Sequence, residues 1–325
     1  MSKLLTVVGA TGTQGHSLIH NALADPSHTY KIRGLTRNPN SDKAKALASN
    51  GVEVVQADIN DEVSLVKAFE GSHAIFAITD FFEPFVANGP EKAIEIEVTQ
   101  GTNLAKAASK TKTLEHYIWS TLPNGKKLTD GKYIVPHFEG KNRIDDYIRS
   151  DKNLLPKTTF FWITFYGNNF QYPIFTPNYI KSAHAYVQLS PADPSTPIKA
   201  IGSPRTNIGI FAYAILKNPG ITKSPTGRFV MAHSEDTTAG KLLSDWSEVT
   251  GNASKYIVTS LEDFASVWPG FGQEMGIMMA MWNELREKSW SGEEGVVTRE
   301  ELGIDLKSLT TVKDAYREMD WKALL

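Results

Sequence analysis

The most informative absence in this 325-residue sequence is cysteine, which does not occur at all. Disulfide bonds, thiolate metal sites and cysteine nucleophiles are therefore excluded. No apolar run approaches the roughly 18 residues that a membrane helix needs, and the first residues run directly into a strand pattern, which leaves no room for a signal peptide. No Lys/Arg block stands out and the net charge is −2, so neither direct nucleic-acid binding nor a membrane location is expected.

What is present is an alternation of short apolar runs with helical patterns over the first half of the chain. We predict strands around residues 7–8, 32–35, 52–55, 74–78, 117–119 and 159–165, with helices between them. This alternation is typical of an α/β fold built on a doubly wound parallel sheet. We predict a first domain over residues 1–165, completed by parts of 200–235, and a smaller, partly discontinuous second domain over 166–325.

The pattern changes beyond Tyr166, where prolines crowd residues 173–204 and indicate loops and short extended pieces. Short strands are predicted at 229–232 and 255–259. The Met/Trp-rich stretch from Met275 to Trp282 has two interpretations, the lining of a pocket or the core of a small second lobe.

Three glycines at intervals of three, in "LLTVVGATGTQG", follow the first predicted strand and open the first predicted helix. Gly9 would end the strand in a tight turn, Gly12 would let the backbone approach a ligand, and Gly15 would let the helix pack closely on the strand. The amino end of a helix holds phosphate through backbone N–H groups and the helix dipole. Further hydrogen-bond donors in the turn are Thr11, Thr13 and Gln14. The sequence therefore predicts a dinucleotide-binding turn.

The second predicted strand ends in Gly34-Leu35-Thr36-Arg37, without the acidic residue that usually binds the ribose of NAD. A guanidinium attracts a 2′-phosphate, so Arg37 favours NADP(H) over NAD(H). The alternative interpretation is a solvated loop charge. Asp58 and Thr79 also follow predicted strands, where each is either an ordinary loop residue or a ligand of the dinucleotide.

The chain resembles the NmrA-like family of atypical short-chain dehydrogenases/reductases. The matching pieces span residues 4 to about 175 and are "GATGTQG", "LTRNPNS", "QADIND", "HYIWSTLPNGKKLTDGKY", "HFEGKNRIDDYI" and "FYGNNF". The resemblance implies a Rossmann domain that binds NADP(H). One departure is Thr99, where redox-sensing relatives have a lysine.

The resemblance also implies a set of cofactor-binding residues. The pyrophosphate would lie on Gly9, Ala10, Thr11, Gly12, Thr13 and Gln14, with Gly15 behind them. The 2′-phosphate would lie on Arg37, Asn38 and Ser41, and the adenine beside Asp58 and Ile59. Lys141 would hold the nicotinamide ribose, and the segment Tyr166, Gly167, Asn168 and Asn169 would run along the nicotinamide.

Catalysis is less clearly indicated, because the tyrosine that ordinary short-chain dehydrogenases place four residues before the lysine is absent. His137 stands there and would share a helix face with Lys141. It is either a proton donor or a residue of the first helical turn bonded to a neighbouring loop. Ser120 or Thr121 takes the place of the catalytic serine. Other candidate proton sources are Tyr133, Tyr166 and a water held by Lys141, and no metal site is expected.

Two functions from different classes follow. The first is an NADPH-dependent reductase of a small apolar or aromatic carbonyl or enone. In this function Phe81, Phe82 and Phe85 would lie over the nicotinamide. The alternative is that these rings form a hydrophobic patch beneath the second domain. The second is a redox sensor without turnover that binds NADP(H) and regulates a protein partner such as a transcription factor. We expect a cytoplasmic protein, or a nuclear one if it is a regulator. The oligomeric state is left open.

Overall fold

The computed structural model describes residues 2–325. The strands of this part of the chain are β1 (Lys3–Val7), β2 (Tyr30–Thr36), β3 (Glu53–Gln56), β4 (Ala74–Ala77), β5 (His116–Thr121), β6 (Thr158–Ile163), β7 (Phe165–Tyr166), β8 (Asn178–Ile180), β9 (Ala185–Ser190), β10 (Pro197–Gly202), β11 (Arg228–Ala232), β12 (Glu235–Thr238) and β13 (Ser254–Val258).

The helices pack on both sides of the sheet formed by the first strands and build the second lobe. They are α1 (Thr13–Leu23), α2 (Asp42–Ser49), α3 (Glu62–Ala68), α4 (Phe82–Asn88), α5 (Pro90–Lys110), α6 (Gly125–Leu128), α7 (Pro136–Ser150), α8 (Pro204–Lys217), α9 (Pro219–Thr222), α10 (Ala239–Thr250), α11 (Leu261–Val267), α12 (Phe271–Leu285), α13 (Val312–Arg317) and α14 (Trp321–Leu324).

Seven strands form one parallel sheet in the order β11-β6-β5-β4-β1-β2-β3. This sheet confirms the predicted doubly wound α/β class. The order reverses between β1 and β4, and in such sheets ligands bind at the carboxyl ends of the strands at that point. Gly9, Arg37, Asp58 and Thr79 all follow strands of this sheet, so the topology brings them to one edge.

One predicted strand is divided in the structure, and another is confirmed as part of the large sheet. The strand predicted at 159–165 is two strands, because Thr164 interrupts it and β7 leaves the large sheet to pair with β10. The short strand predicted at 229–232 is β11, which pairs with β6 along its whole length. A segment 65 residues downstream of β6 thus completes the sheet.

The second lobe contains two three-stranded sheets, ordered β12-β10-β7 and β13-β9-β8. Helix α12 carries the Met/Trp-rich stretch. Met275, Met278 and Met281 are buried in the core, while Met279 and Trp282 line an apolar cavity of about 40 Å³. Met279 and Trp282 also belong to the buried core, so the core interpretation holds for this stretch and the pocket interpretation stays a prediction. The domain boundaries at 165 and 166 stay a prediction.

Close packing of the helices on the sheet depends on small residues. Gly209 of α8 donates its N–H to Ser17 Oγ of α1 at 2.8 Å, and a Cβ at Gly209 would lie 2.0 Å from the Ser17 carbonyl oxygen. Among residues 2–325, no helix is both long and apolar enough to cross a membrane.

Candidate active site

The turn after β1 has the backbone that its three glycines predict. Gly9 has φ +65°, a conformation that favours glycine, and its carbonyl accepts from Gly12 N–H at 2.9 Å. A Cβ at Gly15 would lie 2.4 Å from the Gly9 carbonyl oxygen. Ala10 is buried and ties the turn to β2 through its N–H bond to the Leu35 carbonyl at 3.2 Å.

The amino end of α1 is open to a ligand. The capping residue is Gly12, which has no side chain to satisfy the first N–H groups, and no acidic residue occurs in the first turn. Gly12 and Thr13 are exposed and Thr11 is half-buried. Free N–H groups together with the positive end of the helix dipole form an anion-binding site. These residues fit a diphosphate.

Gln14 connects this turn to the segment predicted to run along the nicotinamide. Its Nε2 donates to Tyr166 Oη at 2.7 Å. Gln14 Oε1 and Asn168 Oδ1 are buried without a hydrogen-bond partner among residues 2–325. Buried polar atoms of this kind are costly unless a ligand or water binds them. They therefore fit a polar group of a bound molecule between the turn and this segment.

The remaining residues of the segment 166–169 differ in their contacts. Gly167 is needed for packing, because a Cβ there would lie 2.8 Å from the Gly202 carbonyl oxygen. The Asn169 carbonyl accepts from Tyr172 N–H at 2.9 Å, and its side chain is half-buried. Burial raises the pKa of Tyr166 to about 12.

Arg37 follows β2 and its side chain is 69% exposed. Its Nη1 lies 2.6 Å from Glu83 Oε1 of α4, and this hydrogen bond raises the pKa of the guanidinium. Ser41 is the N-cap of α2, with its Oγ accepting from Ala44 N–H at 3.3 Å. Asn38 Oδ1 accepts from Asn40 N–H at 3.0 Å. Arg37 is thus an exposed cation of this loop that is paired with Glu83.

Asp58 and Ile59 follow β3. Asp58 is exposed, and its Oδ1 accepts from the Asn60 N–H at 2.9 Å. Ile59 is half-buried and packs against the main core. Their position at the carboxyl edge is that of an adenine site, which stays a prediction.

Lys141 lies within a fully buried group of polar side chains at the end of β4. Its Nζ is 3.0 Å from Thr79 Oγ1, 3.1 Å from Glu97 Oε1 and 3.4 Å from the Thr79 carbonyl oxygen. Thr79 Oγ1 in turn donates to Glu97 Oε1 at 2.7 Å. Glu97 has no exposed surface, so its charge is balanced by the ammonium. The ammonium of Lys141 is thus surrounded by three oxygen atoms of Thr79 and Glu97.

Helices α5 and α7 approach closely enough for this pair because of Gly140. A Cβ at Gly140 would lie 2.4 Å from Glu97 Oε2. Sequence reasoning missed Glu97, although a signal was present. Glu97 lies at the four-residue spacing of Ala93 and Gly101, so a carboxylate stands in the middle of an apolar stripe.

His137 lies one helical turn before Lys141, as the spacing predicts, and is 8% exposed. Its Nδ1 is hydrogen-bonded to Glu274 Oε1 of α12, and the same oxygen accepts from the His137 backbone N–H at 3.1 Å. Glu274 is 2% exposed. This contact could not be predicted from local sequence patterns, because 137 residues separate the two positions.

Ser120 is buried near the carboxyl end of β5. Its neighbours Trp119 and Thr121 donate to Asp145 of α7, at 2.7 and 2.9 Å. Side chains alternate along a strand, so Ser120 lies on the opposite face of the sheet from Asp145. The Trp119 ring lies 5.4 Å from Lys141 Nζ. The structure thus brings Lys141 close to Trp119 rather than to Ser120, and the role of Ser120 stays a prediction.

Aromatic rings cover His137. Phe82 is 38% exposed and its ring centroid lies 5.4 Å from the His137 ring. Phe271 of α12 is 37% exposed and nearly parallel to Phe82, at 18° and 6.3 Å between centroids. Phe81 and Phe85 are buried beneath them. Phe82 and Phe85 therefore pack against Phe271 of the second lobe, and the position of the three predicted phenylalanines over a nicotinamide stays a prediction.

Asp145 gives a testable pH dependence. Burial raises its pKa to about 8, so below that pH the folded protein holds a proton that the unfolded chain releases near pH 4. The stability of the wild type should therefore fall as pH rises between those values. Asp145→Asn removes this effect, so its stability relative to the wild type should increase by about 3–4 kcal/mol between about pH 5 and about pH 8. Urea unfolding across this range measures it.

The matched control is Asp146→Asn, since Asp146 is exposed on the same helix. Its stability should follow the wild type at every pH. Parallel curves for Asp145→Asn and wild type would contradict the assignment of a neutral carboxyl to Asp145.

A parallel sheet of seven strands with an open glycine turn after its first strand defines a Rossmann-type α/β protein. A model of the NmrA-like family matches residues 1–315, and the chain belongs to that family. This confirms the resemblance seen in the sequence.

Relatives of this chain match either its whole length or about half of it. An NmrA-like family domain-containing protein of Dictyostelium discoideum is 25% identical over 325 residues, covering 99% of each chain. An NmrA-like family domain-containing oxidoreductase, hkm9, of Aspergillus hancockii is 34% identical over 170 residues, which is 52% of this chain and 48% of that protein. The structure of NmrA, a negative transcriptional regulator, in complex with NADP superimposes with a TM-score of 0.75 at 21% identity, covering 99% of this chain and 97% of that one.

Proposed function

We propose that this protein is an NADPH-dependent reductase of a small apolar or aromatic carbonyl or enone. The observation that carries the proposal is the arrangement on α7. Lys141 is fixed beside the end of β4, and His137 lies one turn before it beneath aromatic rings. An ammonium and an imidazole on one helix face can orient a bound cofactor and protonate the oxygen of a carbonyl substrate.

NADP(H) is the cofactor that the residues fit. The open amino end of α1 would hold the diphosphate and Arg37 the 2′-phosphate, while Lys141 would bind the nicotinamide ribose. Gln14 Oε1 and Asn168 Oδ1 are unpaired beside the predicted nicotinamide position. When bound, the reduced cofactor supplies a hydride. NADP in the structure of NmrA and the name oxidoreductase of the Aspergillus relative support the same proposal.

His137 is the best proton donor among the predicted candidates. The pKa of Tyr166 is raised to about 12, so its hydroxyl is a weak acid, and it already accepts from Gln14. Tyr133 donates to Glu284 Oε2 at 3.1 Å and lies at a partly exposed position. His137 is the candidate that shares a helix face with Lys141 and lies against the aromatic rings.

The substrate class follows from the rings over His137. Phe82 and Phe271 are each more than one-third exposed and nearly parallel, which favours a flat apolar molecule that stacks against either face. Exposed aromatic surface beside a buried polar pair is typical of ligand sites.

Turnover is the direct test of this function. The protein is mixed with NADPH and a panel of quinones, enones and aromatic aldehydes, and the nicotinamide absorbance is followed. Oxidation of NADPH that depends on the protein and on one class of acceptor is the expected result. Tight binding of NADPH with no oxidation by any acceptor would contradict it.

Arg37→Ala tests the choice of cofactor. Losing a charged hydrogen bond to phosphate costs about 1.5–3 kcal/mol, so the dissociation constant for NADPH should rise at least about 10-fold. That for NADH should change little. Calorimetric titration measures both, and the control Lys43→Ala changes an exposed lysine of α2. Equal losses for NADPH and NADH would argue against a 2′-phosphate site at Arg37.

A second candidate function is favoured by one observation, namely that histidine occupies the place of the catalytic tyrosine. In this alternative the protein is a redox sensor whose occupancy by NADP(H) changes its affinity for a regulatory protein partner, in the cytoplasm or the nucleus. A sensor must bind the two redox forms unequally. A large difference between the dissociation constants for NADPH and NADP⁺, with no turnover, would favour it over the reductase.

A further inference from the structure

Glu274 is a buried carboxylate of the second lobe whose only hydrogen bonds among residues 2–325 go to one residue of the first. Its Oε1 accepts from both His137 Nδ1 and the His137 backbone N–H, and its Oε2 has no partner. Burying a carboxylate to 2% exposure is costly, and an apolar residue would pack there more favourably. The arrangement therefore calls for an explanation beyond packing.

The geometry fixes both the position and the tautomer of the imidazole. A carboxylate accepts hydrogen bonds, so His137 Nδ1 must carry a proton, and Nε2 lies on the side of the ring away from Glu274. The ring is also held between Phe82 at 5.4 Å and Phe138 at 4.7 Å. The backbone N–H binds the same oxygen and holds it in place, so a turn of the ring would break the bond from Nδ1.

We propose that His137 and Glu274 form a proton-donating pair built across the two lobes, in which His137 is the catalytic acid and Glu274 its positioning residue. This inference rests on the proposed reductase function. The negative charge of Glu274 stabilises the doubly protonated imidazole, and Nε2–H is then the acid presented to the substrate.

The substrate carbonyl carbon accepts a hydride from NADPH, which is oxidised to NADP⁺, and the π electrons of the C=O bond move to oxygen. That oxygen takes the proton from His137 Nε2, giving the alcohol and a neutral imidazole. Water returns a proton to Nε2 before the next turnover. Glu274 stays ionised throughout.

The alternative is that Glu274 acts as a helix cap, since its bond to the His137 N–H satisfies the first turn of α7. A cap affects stability and leaves the turnover of folded molecules unchanged. A positioning role lowers kcat without a matching change in KM, so kinetics separates the two roles.

The experiment compares Glu274→Gln, His137→Gln and the double variant, with Glu284→Gln as the control on the same helix. General acid catalysis contributes about 10²–10⁴-fold, so Glu274→Gln should lower kcat about 100-fold. The dissociation constant for NADPH should stay within about 3-fold of the wild type, since neither residue binds the diphosphate. Residues that act as a unit are non-additive, so the double variant should be no slower than His137→Gln.

A spectroscopic readout needs no turnover. An imidazole N–H bonded to a buried carboxylate gives a far-downfield ¹H NMR resonance, which should be present in the wild type and lost in both single variants. It should persist in Glu284→Gln. If Glu274→Gln does not fold, the wild-type resonance and its loss in His137→Gln still report the pair.

The outcomes separate this inference from the function it rests on. No turnover by the wild type with NADPH bound overturns the reductase proposal and the pair with it. Turnover by the wild type with an undiminished kcat in Glu274→Gln overturns the pair alone. Absence of the downfield resonance from the wild type also overturns the pair, whatever the kinetics.

Discussion

Lys141→Met is expected to lower kcat/KM with NADPH at least about 100-fold and to destabilise the protein by about 3–5 kcal/mol. The loss of activity follows from removing the ammonium that would hold the ribose. The loss of stability follows from Glu97, which would remain as a buried charge without a counter-ion. Steady-state kinetics measures the first effect and urea unfolding the second.

The double variant Lys141→Met/Glu97→Gln separates these two effects. With no buried charge left, its stability should return most of the way to that of the wild type, because the loss came mainly from an uncompensated carboxylate. Its activity should stay low. Lys152→Met, at an exposed position just beyond α7, is the control and should change neither. Recovery of activity in the double variant would remove Lys141 from the proposed mechanism.

Gly15→Ala is expected to raise the dissociation constant for NADPH about 100-fold. A methyl group at this position would lie 2.4 Å from the Gly9 carbonyl oxygen and 3.1 Å from Ala10 Cα, so the turn itself must move. Displacing backbone N–H groups from a phosphate removes several charged hydrogen bonds at once, each of about 1.5–3 kcal/mol. Calorimetric titration with NADPH measures the change.

Gly220→Ala is the matched control for Gly15→Ala. Gly220 also lies in a helix, but a Cβ there meets nothing within 4 Å. Alanine is favoured over glycine in helices by about 1 kcal/mol, so this variant should be as stable as the wild type or slightly more so. It should bind NADPH normally. Normal binding by Gly15→Ala would mean that the diphosphate does not lie on this turn.

The parts of the fold that sequence reasoning could predict are those set by local pattern. The glycine turn depends on the backbone angle φ of Gly9 and on steric limits within residues 9–15, all of which are local. The strands of the first half are predicted by apolar runs. The break at Thr164 could not be predicted in this way, since β7 is defined by its pairing with β10, more than 30 residues away. The same holds for β11, whose pattern predicts a strand and not its partner.

The candidate site likewise combines features that local sequence patterns predict with contacts that only long-range packing creates. The spacing of His137 and Lys141 on α7 is a local property, and their common helix face follows from it. Their counter-ions come from other elements, Glu97 from α5 and Glu274 from α12. Only the tertiary structure brings these together. Of these two residues, Glu97 could have been recognised in the sequence, because it is a charged residue within an apolar helix face.

The completion of the large sheet by β11 has a consequence for synthesis on the ribosome. Until residues 228–232 emerge, β6 is an edge strand with open N–H and C=O groups and with side chains such as Phe160 and Phe161 that are buried in the finished protein. Open apolar edges pair readily with other chains. Nascent chains stalled before this point, and fragments that end near residue 165, should therefore aggregate or depend on chaperones.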